Sequence, residues 1–366
     1  KELAKAKGLL MMGPDCGTAI LDGVPLGFAN AVRRGSIGLV GASGTGLQQV
    51  SCLIDRAGAG VSQAIGVGGR DLDERIGGTM MLAGLDRLAA DPATNVIVLI
   101  SKPPAASVTA RVLASIRAVG KPVVVNFLGG DSEVILAAGG IPAVTFEEAA
   151  ARASAIALGR AQAVDAAAGS TDSGARDQEE AAAREAANRL GSGQWRIRGL
   201  YSGGSLAGEA KLILKSVLGA ATATGHEILD LGDDEYTVGR PHPMIDPRLR
   251  NEHLLAAATD PTTAVILLDV VLGYGANDDP GGALADAIVD ARKAAQNEGR
   301  HVAVVASVCG TDSDPQGLAV QESRLAAAGV LLARSNARAA AIAAQIALAA
   351  ASGVAPATAG QSGGQR

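Results

Sequence analysis

Two glycine-rich stretches carry the first chemical signal in this chain. Gly41-Ala-Ser-Gly-Thr-Gly46 follows a short apolar run and passes into a helical pattern from Leu47, and Ser202-Gly-Gly-Ser-Leu206 follows the run 196–201 in the same way. In such a turn glycines let backbone N–H groups face outward, and the helix behind adds roughly half a positive charge at its start. Ser43, Gly44, Thr45 and Gly46, with Gly203, Gly204 and Ser205 in the second stretch, therefore suit a phosphate or a carboxylate. The spacing is neither Gly-x-Gly-x-x-Gly nor a P-loop, and Thr45 stands where a Gly-x-Ser-x-Gly nucleophile elbow needs its last glycine. The plain alternative is a tight strand-to-helix turn that needs small residues for packing.

A third segment, Gly239-Arg-Pro-His-Pro-Met-Ile-Asp-Pro-Arg248, holds two guanidinium groups, an imidazole and a carboxylate on a backbone that its prolines restrict. Arg240 is the expected electrostatic clamp and His242 the expected proton carrier of an oxoanion site. The alternative here is a Pro-rich approach to a helix, with Asp246 as its cap. Lys102, in Ser101-Lys-Pro-Pro104 at a strand end, is placed to meet an anion, whereas the acidic groups at 71–74, 233–235 and 278–279 read as solvated loop charge, although Gly66-Val-Gly-Gly-Arg-Asp71 carries enough glycine at a strand end to line a pocket. His226, His242, His253 and His301 form no metal-ligand spacing, so no metal site is expected. Cys16, Cys52 and Cys309 lie far apart without Cys-x-x-Cys, which suits small buried thiols in a reducing cytoplasm and excludes a disulfide scaffold.

The elements that must position these residues follow from the alternation of patterns. Strand-like runs at 36–41, 61–67, 95–100 and 122–127 alternate with helical stretches near 76–90 and 107–118, the latter opening at Ser107 as an N-cap. This βαβαβ order predicts a doubly wound parallel sheet with helices on both faces. From about 145 to 194 Ala, Glu and Arg dominate around a Gly/Ser-rich interruption at 169–174, which reads as helix, flexible loop and helix. The first pattern then returns. Asp91-Pro-Ala-Thr-Asn-Val-Ile-Val-Leu-Ile100 recurs as Asp260-Pro-Thr-Thr-Ala-Val-Ile-Leu-Leu-Asp269, and Lys121-Pro-Val-Val-Val-Asn126 as His301-Val-Ala-Val-Val-Ala306. Order and offset are kept, so the chain holds two copies of one α/β unit. The second copy closes with a long Ala-rich helix at about 335–351 and a tail expected to be disordered.

Composition agrees with this organisation. The 366 residues allow two or three domains, and 48% hydrophobic residues with only 2% aromatics require cores of Ala, Val, Leu and Ile, which favour α/β layers over a β-sandwich. A net charge of −5 gives no general attraction to nucleic acid or anionic membranes. No apolar run approaches the roughly 18–20 residues of a membrane span, so a soluble, cytoplasmic protein is expected. The chain opens Lys1-Glu-Leu-Ala without Met or a signal-type segment, as though cut from something longer.

Pro14-Asp-Cys-Gly17, the strand into Ser43-Gly-Thr-Gly46, Gly66-Val-Gly-Gly-Arg-Asp71 and Asp91-Pro-Ala-Thr94 together resemble the α-subunit of succinyl-CoA synthetase and the related nucleoside-diphosphate-forming acyl-CoA ligases. The double arrangement, with Tyr201-Ser-Gly-Gly-Ser205, His242-Pro-Met-Ile-Asp246 and Val271-Leu-Gly-Tyr-Gly275, is similar to the FdrA proteins of that superfamily. The resemblance spans nearly the whole chain and implies two tandem flavodoxin-like domains at 21–150 and 195–352. It further implies a linker at 151–194, a tail at 353–366, and at 1–20 the remnant of an otherwise missing N-terminal CoA-binding Rossmann domain, through which alone CoA would bind.

Active ligases of this type carry a phosphorylated His in a Gly-His-Ala-Gly loop and a Glu that orients it. The corresponding stretch 128–140 has no His, Ser101-Lys102 occupies the Glu region, and 309–315 in the second copy also lacks a His. The resemblance to FdrA proteins thus implies carbamoyl transfer in allantoin and purine nitrogen catabolism, with companion subunits and a small anionic substrate such as carbamoyl phosphate, oxamate or an acyl phosphate. The alternatives are an acyl-CoA or succinyl-CoA ligase of the nucleoside-diphosphate-forming type and a non-catalytic scaffold subunit.

Overall fold

The computed structural model describes residues 1–14, 16–160, 173–219 and 225–351. A short helix, α1 (Glu2–Ala6), and a hairpin of β1 (Thr18–Leu21) and β2 (Val24–Gly27) precede the first alternating unit. That unit runs β3 (Arg34–Gly41), α2 (Gly44–Arg56), β4 (Val61–Gly66), α3 (Thr79–Ala90), β5 (Val96–Ser101), α4 (Ala106–Ile116), β6 (Val123–Phe127), α5 (Ser132–Ala137), β7 (Ile141–Pro142) and α6 (Phe146–Ala157). Beyond α7 (Ser173–Asn188) the alternation restarts with β8 (Arg196–Tyr201), α8 (Gly204–Leu218), β9 (Glu227–Asp230), α9 (Asp234–Thr237) and α10 (Arg248–Thr259). It ends with β10 (Thr263–Val271), α11 (Pro280–Asn297), β11 (Ala303–Cys309), α12 (Leu318–Ala327), β12 (Leu331–Ala333) and α13 (Asn336–Ala351).

The first sheet has the order β2-β1-β4-β3-β5-β6-β7 and the second β12-β11-β10-β8-β9. Without the antiparallel hairpin, each is parallel and reads 2-1-3-4-5 in its own chain order, the flavodoxin-like doubly wound arrangement. The repeated segments occupy equivalent places, so β5 corresponds to β10 and the α2 turn to the α8 turn. Both β5 and β10 are buried along their whole length because helices cover both faces, which is why they read as continuous apolar runs.

The layers stack as helices, sheet, helices, sheet, helices. Leu47 and Val50 of α2 and Phe146 and Ala150 of α6 share one core with Leu206 and Ala210 of α8 and Ala340 and Ala344 of α13. Helices α3 and α4 cover the outer face of the first sheet, and α10, α11 and α12 that of the second. Small side chains let the inner helices approach closely enough to share a core without many aromatics.

Two expected boundaries change. Within 151–194, expected as a linker, the described residues belong to these layers: α6 packs on α2, and α7 buries Ala183 and Ala186 against α13. Residues 1–20 are likewise joined to the first unit. Ala19 of β1 pairs with Ile65 of β4, and Lys1 Nζ donates to Val67 O at 2.7 Å and to Asp71 Oδ1 at 2.9 Å. Residues 169–172 of the expected loop and the expected tail at 353–366 lie outside the described residues. Among the described residues no helix is long and apolar enough to cross a membrane.

Candidate functional site

The carboxyl ends of β3, β4, β5, β8 and β9 open on one cavity of about 730 Å³ between the two units. In a doubly wound sheet this is where ligands bind, because loops leave the strands there and helices begin. Of the residues singled out from sequence, Ser43, Gly44, Thr45, Lys102, Gly203, Gly204, Ser205 and His242 line this one space. Residues of both glycine-rich turns, more than 150 positions apart in the chain, thus face each other.

The two turns are chemically unlike. At the first, Ser43 is the N-cap of α2; its Oγ accepts from Gly46 N at 3.0 Å and donates to Ser205 Oγ at 2.6 Å, tying one turn to the other. The N–H groups of Gly44 and Thr45 take no partner among the described residues. At the second, Ser202 N and Gly203 N donate to Asp269 at 2.8 and 2.7 Å, and Ser202 Oγ donates to the same carboxylate at 3.1 Å. Asp269 is fully buried and faces Arg250, whose Nη1 donates to its side chain at 3.1 Å and to its carbonyl at 2.7 Å. The N–H of Gly203, one of the three residues of this turn expected to cradle a ligand, is therefore occupied by the protein's own carboxylate, whereas those of Gly204 and Ser205 take no partner among the described residues. Gly204 is needed for a different reason: a methyl there would overlap Asp230 Oδ2.

Charge is divided across the cavity. Arg70 and Lys102 line it from the first unit, and Asp230, Asp233 and Asp234 from the second. Burial pushes the Asp230 carboxyl above its usual range, against the opposing pull of Lys102. His242 is half-buried, and burial holds its imidazole below the ordinary value. Its Nδ1 accepts from Met244 N at 3.2 Å, which leaves the proton of the neutral ring on Nε2. Cys16 also lines the space, and burial pushes its thiol up.

Several expectations need correction. Arg240 is exposed and outside the cavity lining, so it clamps nothing there. Arg248 pairs with Asp246 at 2.5 Å on the surface, and of the proline-restricted segment only His242 and Met244 reach the cavity. Gly46 lies inside the first turn of α2, where a side chain would meet Ser43, Ile100 and Phe146; its role is packing. Sequence reasoning passed over Asp230, Asp269 and Arg250 as site residues, and it marked the stretch 66–71 as able to line a pocket without giving Arg70 a role; Gly69 and Arg70 do line the cavity. The signal for Asp269 was present, since the repeat sets it opposite Ile100 and a carboxylate ending an apolar strand demands partners.

The CoA binding domain family matches residues 32–129, and the CoA-ligase family matches residues 200–346. The first match overturns the expectation that the CoA-binding domain precedes residue 20 and is missing: it coincides with the first sheet unit, including the 41–46 turn. The uncharacterized protein YahF of Escherichia coli is 43% identical over 352 residues, covering 92% of this chain and 67% of YahF. The mitochondrial succinate–CoA ligase (ADP-forming) subunit alpha-2 of Trichomonas vaginalis is 34% identical over 106 residues, which is 28% of this chain and 33% of that protein. Among solved structures, the apo dinucleotide-forming acetyl-coenzyme A synthetase 1 of Ca. Korarchaeum cryptofilum aligns over 96% of this chain and 74% of its own, with a TM-score of 0.34 and 18% identity.

Proposed function

Because this chain belongs to the same family as YahF and carries the CoA-binding and CoA-ligase domains of the acyl-CoA and succinyl-CoA ligase superfamily, we propose that it is an enzyme of the acid–thiol ligase type that moves an acyl group between an acyl phosphate and the thiol of coenzyme A. One observation carries this reading: the open N–H groups of Gly44 and Thr45, with Arg70 and Lys102 beside them, make one wall of the cavity an anion seat within the CoA-binding match. In the reaction the thiolate sulfur forms a bond to the acyl carbon, and the carbon–oxygen bond to phosphate breaks, its electron pair leaving with inorganic phosphate. The seat holds the phosphate and stabilises the charge that gathers on it. His242, neutral with its proton on Nε2, is suited to donate a hydrogen bond to the developing oxyanion.

The loop at 128–140 has no His, so the proposed reaction begins at the acyl phosphate and uses no phosphohistidine. Companion subunits would supply the nucleotide chemistry. The full chain, given acetyl phosphate and CoA, is expected to form thioester with loss of free thiol. Lys102→Met is expected to slow this by about 10²-fold, in line with loss of one charged contact to the leaving group. No thioester from any acyl phosphate would overturn the proposal.

A second reading, carbamoyl transfer as in the resembling FdrA proteins, is favoured by the same absence of His at 128–140. It predicts transfer from carbamoyl phosphate to the nitrogen of oxamate without thioester formation, and the two assays run side by side separate the readings.

A further inference from the structure

Among the described residues that line the cavity, one buried side-chain atom has no hydrogen-bond partner, and it is Oε1 of Gln48. Gln48 stands one helical turn after Gly44 on α2 and is 1% exposed. The Cα–Cβ bonds of a helix tilt toward its N-terminus, so this side chain leans toward the turn that holds the open N–H groups of Gly44 and Thr45. Its amide is oriented from the second unit. Asp314 accepts from Ala31 N at 2.7 Å and from Thr311 N and Asn30 Nδ2 at 2.8 Å, which turns Asn30 Oδ1 toward Gln48 Nε2, its donor at 3.1 Å. Gln48 Nε2 also donates to Leu272 O at 3.4 Å. A reversed amide would set Oε1 against both of these acceptors. Neither Asn30 nor Leu272 lines the cavity, which leaves the oxygen as the end of the amide on the cavity side. A buried carbonyl oxygen held without a donor is unfavourable, and a ligand that brings the donor relieves that cost. The repeat has no second copy of this acceptor, since Gly208 stands at the corresponding place of α8.

We infer that Gln48 is a specificity-determining residue, whose Oε1 accepts a hydrogen bond from an N–H or O–H on the group next to the ligand's anionic head. Residues four apart on a helix have Cβ atoms roughly 5–6 Å from each other. A head on the N–H groups of Gly44 and Thr45 therefore leaves the acceptor beside the group bonded to that head, not at the far end of a long ligand. An acyl phosphate whose carbonyl carries –NH2 makes the contact, and one whose carbonyl carries –CH3 covers the oxygen without giving it a donor. A site built to hydrogen-bond an N–H or O–H rejects the analogue that lacks it far more strongly than an apolar pocket rejects a change of one methylene. The inference rests on the proposed anion seat at the α2 turn and names the ligand class that seat admits: oxyanions whose neighbouring group is a hydrogen-bond donor.

Isothermal titration of the full chain with carbamoylphosphonate and with acetylphosphonate tests this, since the two share a carbonyl and a phosphonate head and differ only in –NH2 against –CH3. The wild-type chain is expected to bind carbamoylphosphonate about tenfold tighter or more. Gln48→Met, which keeps the length of the side chain and removes the acceptor, is expected to bring the two affinities within about threefold. Should that variant fail to fold, methyl phosphonoformate gives the readout on the wild-type chain: it sets an ester oxygen where the amide has its donor and is expected to bind no tighter than acetylphosphonate. Equal or tighter binding of acetylphosphonate by the wild type, a ratio unmoved in folded Gln48→Met, an ester that matches the amide, or no binding of any probe overturns the inference. Thioester formation from acetyl phosphate and CoA is read separately, so discrimination without it sinks only the proposed reaction, and thioester formation without discrimination sinks only the role of Gln48.

Discussion

Glu209 occupies the junction of helices from both units, where its Oε1 accepts from Phe146 N at 2.7 Å and its Oε2 from Asn336 Nδ2 at 2.8 Å. Burial pushes its carboxyl up to about 7, a tendency the nearby Glu147 reinforces and the two hydrogen bonds oppose. From its ordinary value of 4.5 to about 7 the unfolded chain has released a proton that the folded chain keeps, so this group's contribution to stability is lost as pH rises through that window. Thermal melts from pH 5 to pH 8 are expected to show a decline that Glu209→Gln flattens; an equal decline in the variant would show that other groups cause it. Residue type alone flagged His242 and Lys102, and both reach the cavity. Arg240 has the same chemistry and does not reach it, because the chain turns after Thr237, whose carbonyl accepts from Arg240 N at 3.0 Å, and leaves the side chain outside. Glu209, in the middle of a helix with no motif around it, carried no mark in the sequence of the partners that bury it.

At the scale of elements, the hairpin of β1 and β2 is held to the first sheet by a close approach at Gly66. A methyl there would overlap Thr18 O and Cys16 Sγ. Gly66→Ala is expected to push β1 off β4, costing about 1–3 kcal/mol, as overpacking of a filled site does. Amide exchange localised to 18–27 is the measurement, and unchanged protection there would contradict it. The strand runs of the parallel sheets were legible because full burial on both faces demands uninterrupted apolar residues. Element ends were less so. Ser107, expected as the N-cap of α4, lies inside that helix and donates through Oγ to Glu74 Oε1 at 3.2 Å, while Ala105 stands at the cap. Helices α6 and α7 were visible as helices, yet their Ala-rich composition suits a connector as well as a close-packed inner layer, and only their neighbours distinguish the two.

Across the whole molecule the units are bound together by more than the shared core. Arg56, from α2, donates to Val308 O at 2.6 Å, Gly310 O at 2.8 Å and Arg334 O at 3.1 Å, reaching the end of β11 and the start of α13's loop. Asn30 Nδ2 and Ala31 N donate to Asp314 at 2.8 and 2.7 Å, strapping the segment before β3 to the second unit. Arg56→Ala leaves three carbonyls short of a charged donor and is expected to cost about 2–3 kcal/mol. Urea unfolding followed by tryptophan fluorescence, which reports on Trp195 beside the second sheet, and by circular dichroism should then separate into two transitions. Coincident transitions at the wild-type midpoint would refute the coupling. The sequence by itself determined the fold class, the repeat and the two anion-suited turns, because periodicity and glycine placement are local properties of the chain. What lies against the entry to the second turn was a tertiary matter. Asp269 is far from Ser202 in the chain, and only the parallel register of β10 beside β8 brings its carboxylate onto the N–H groups of Ser202 and Gly203.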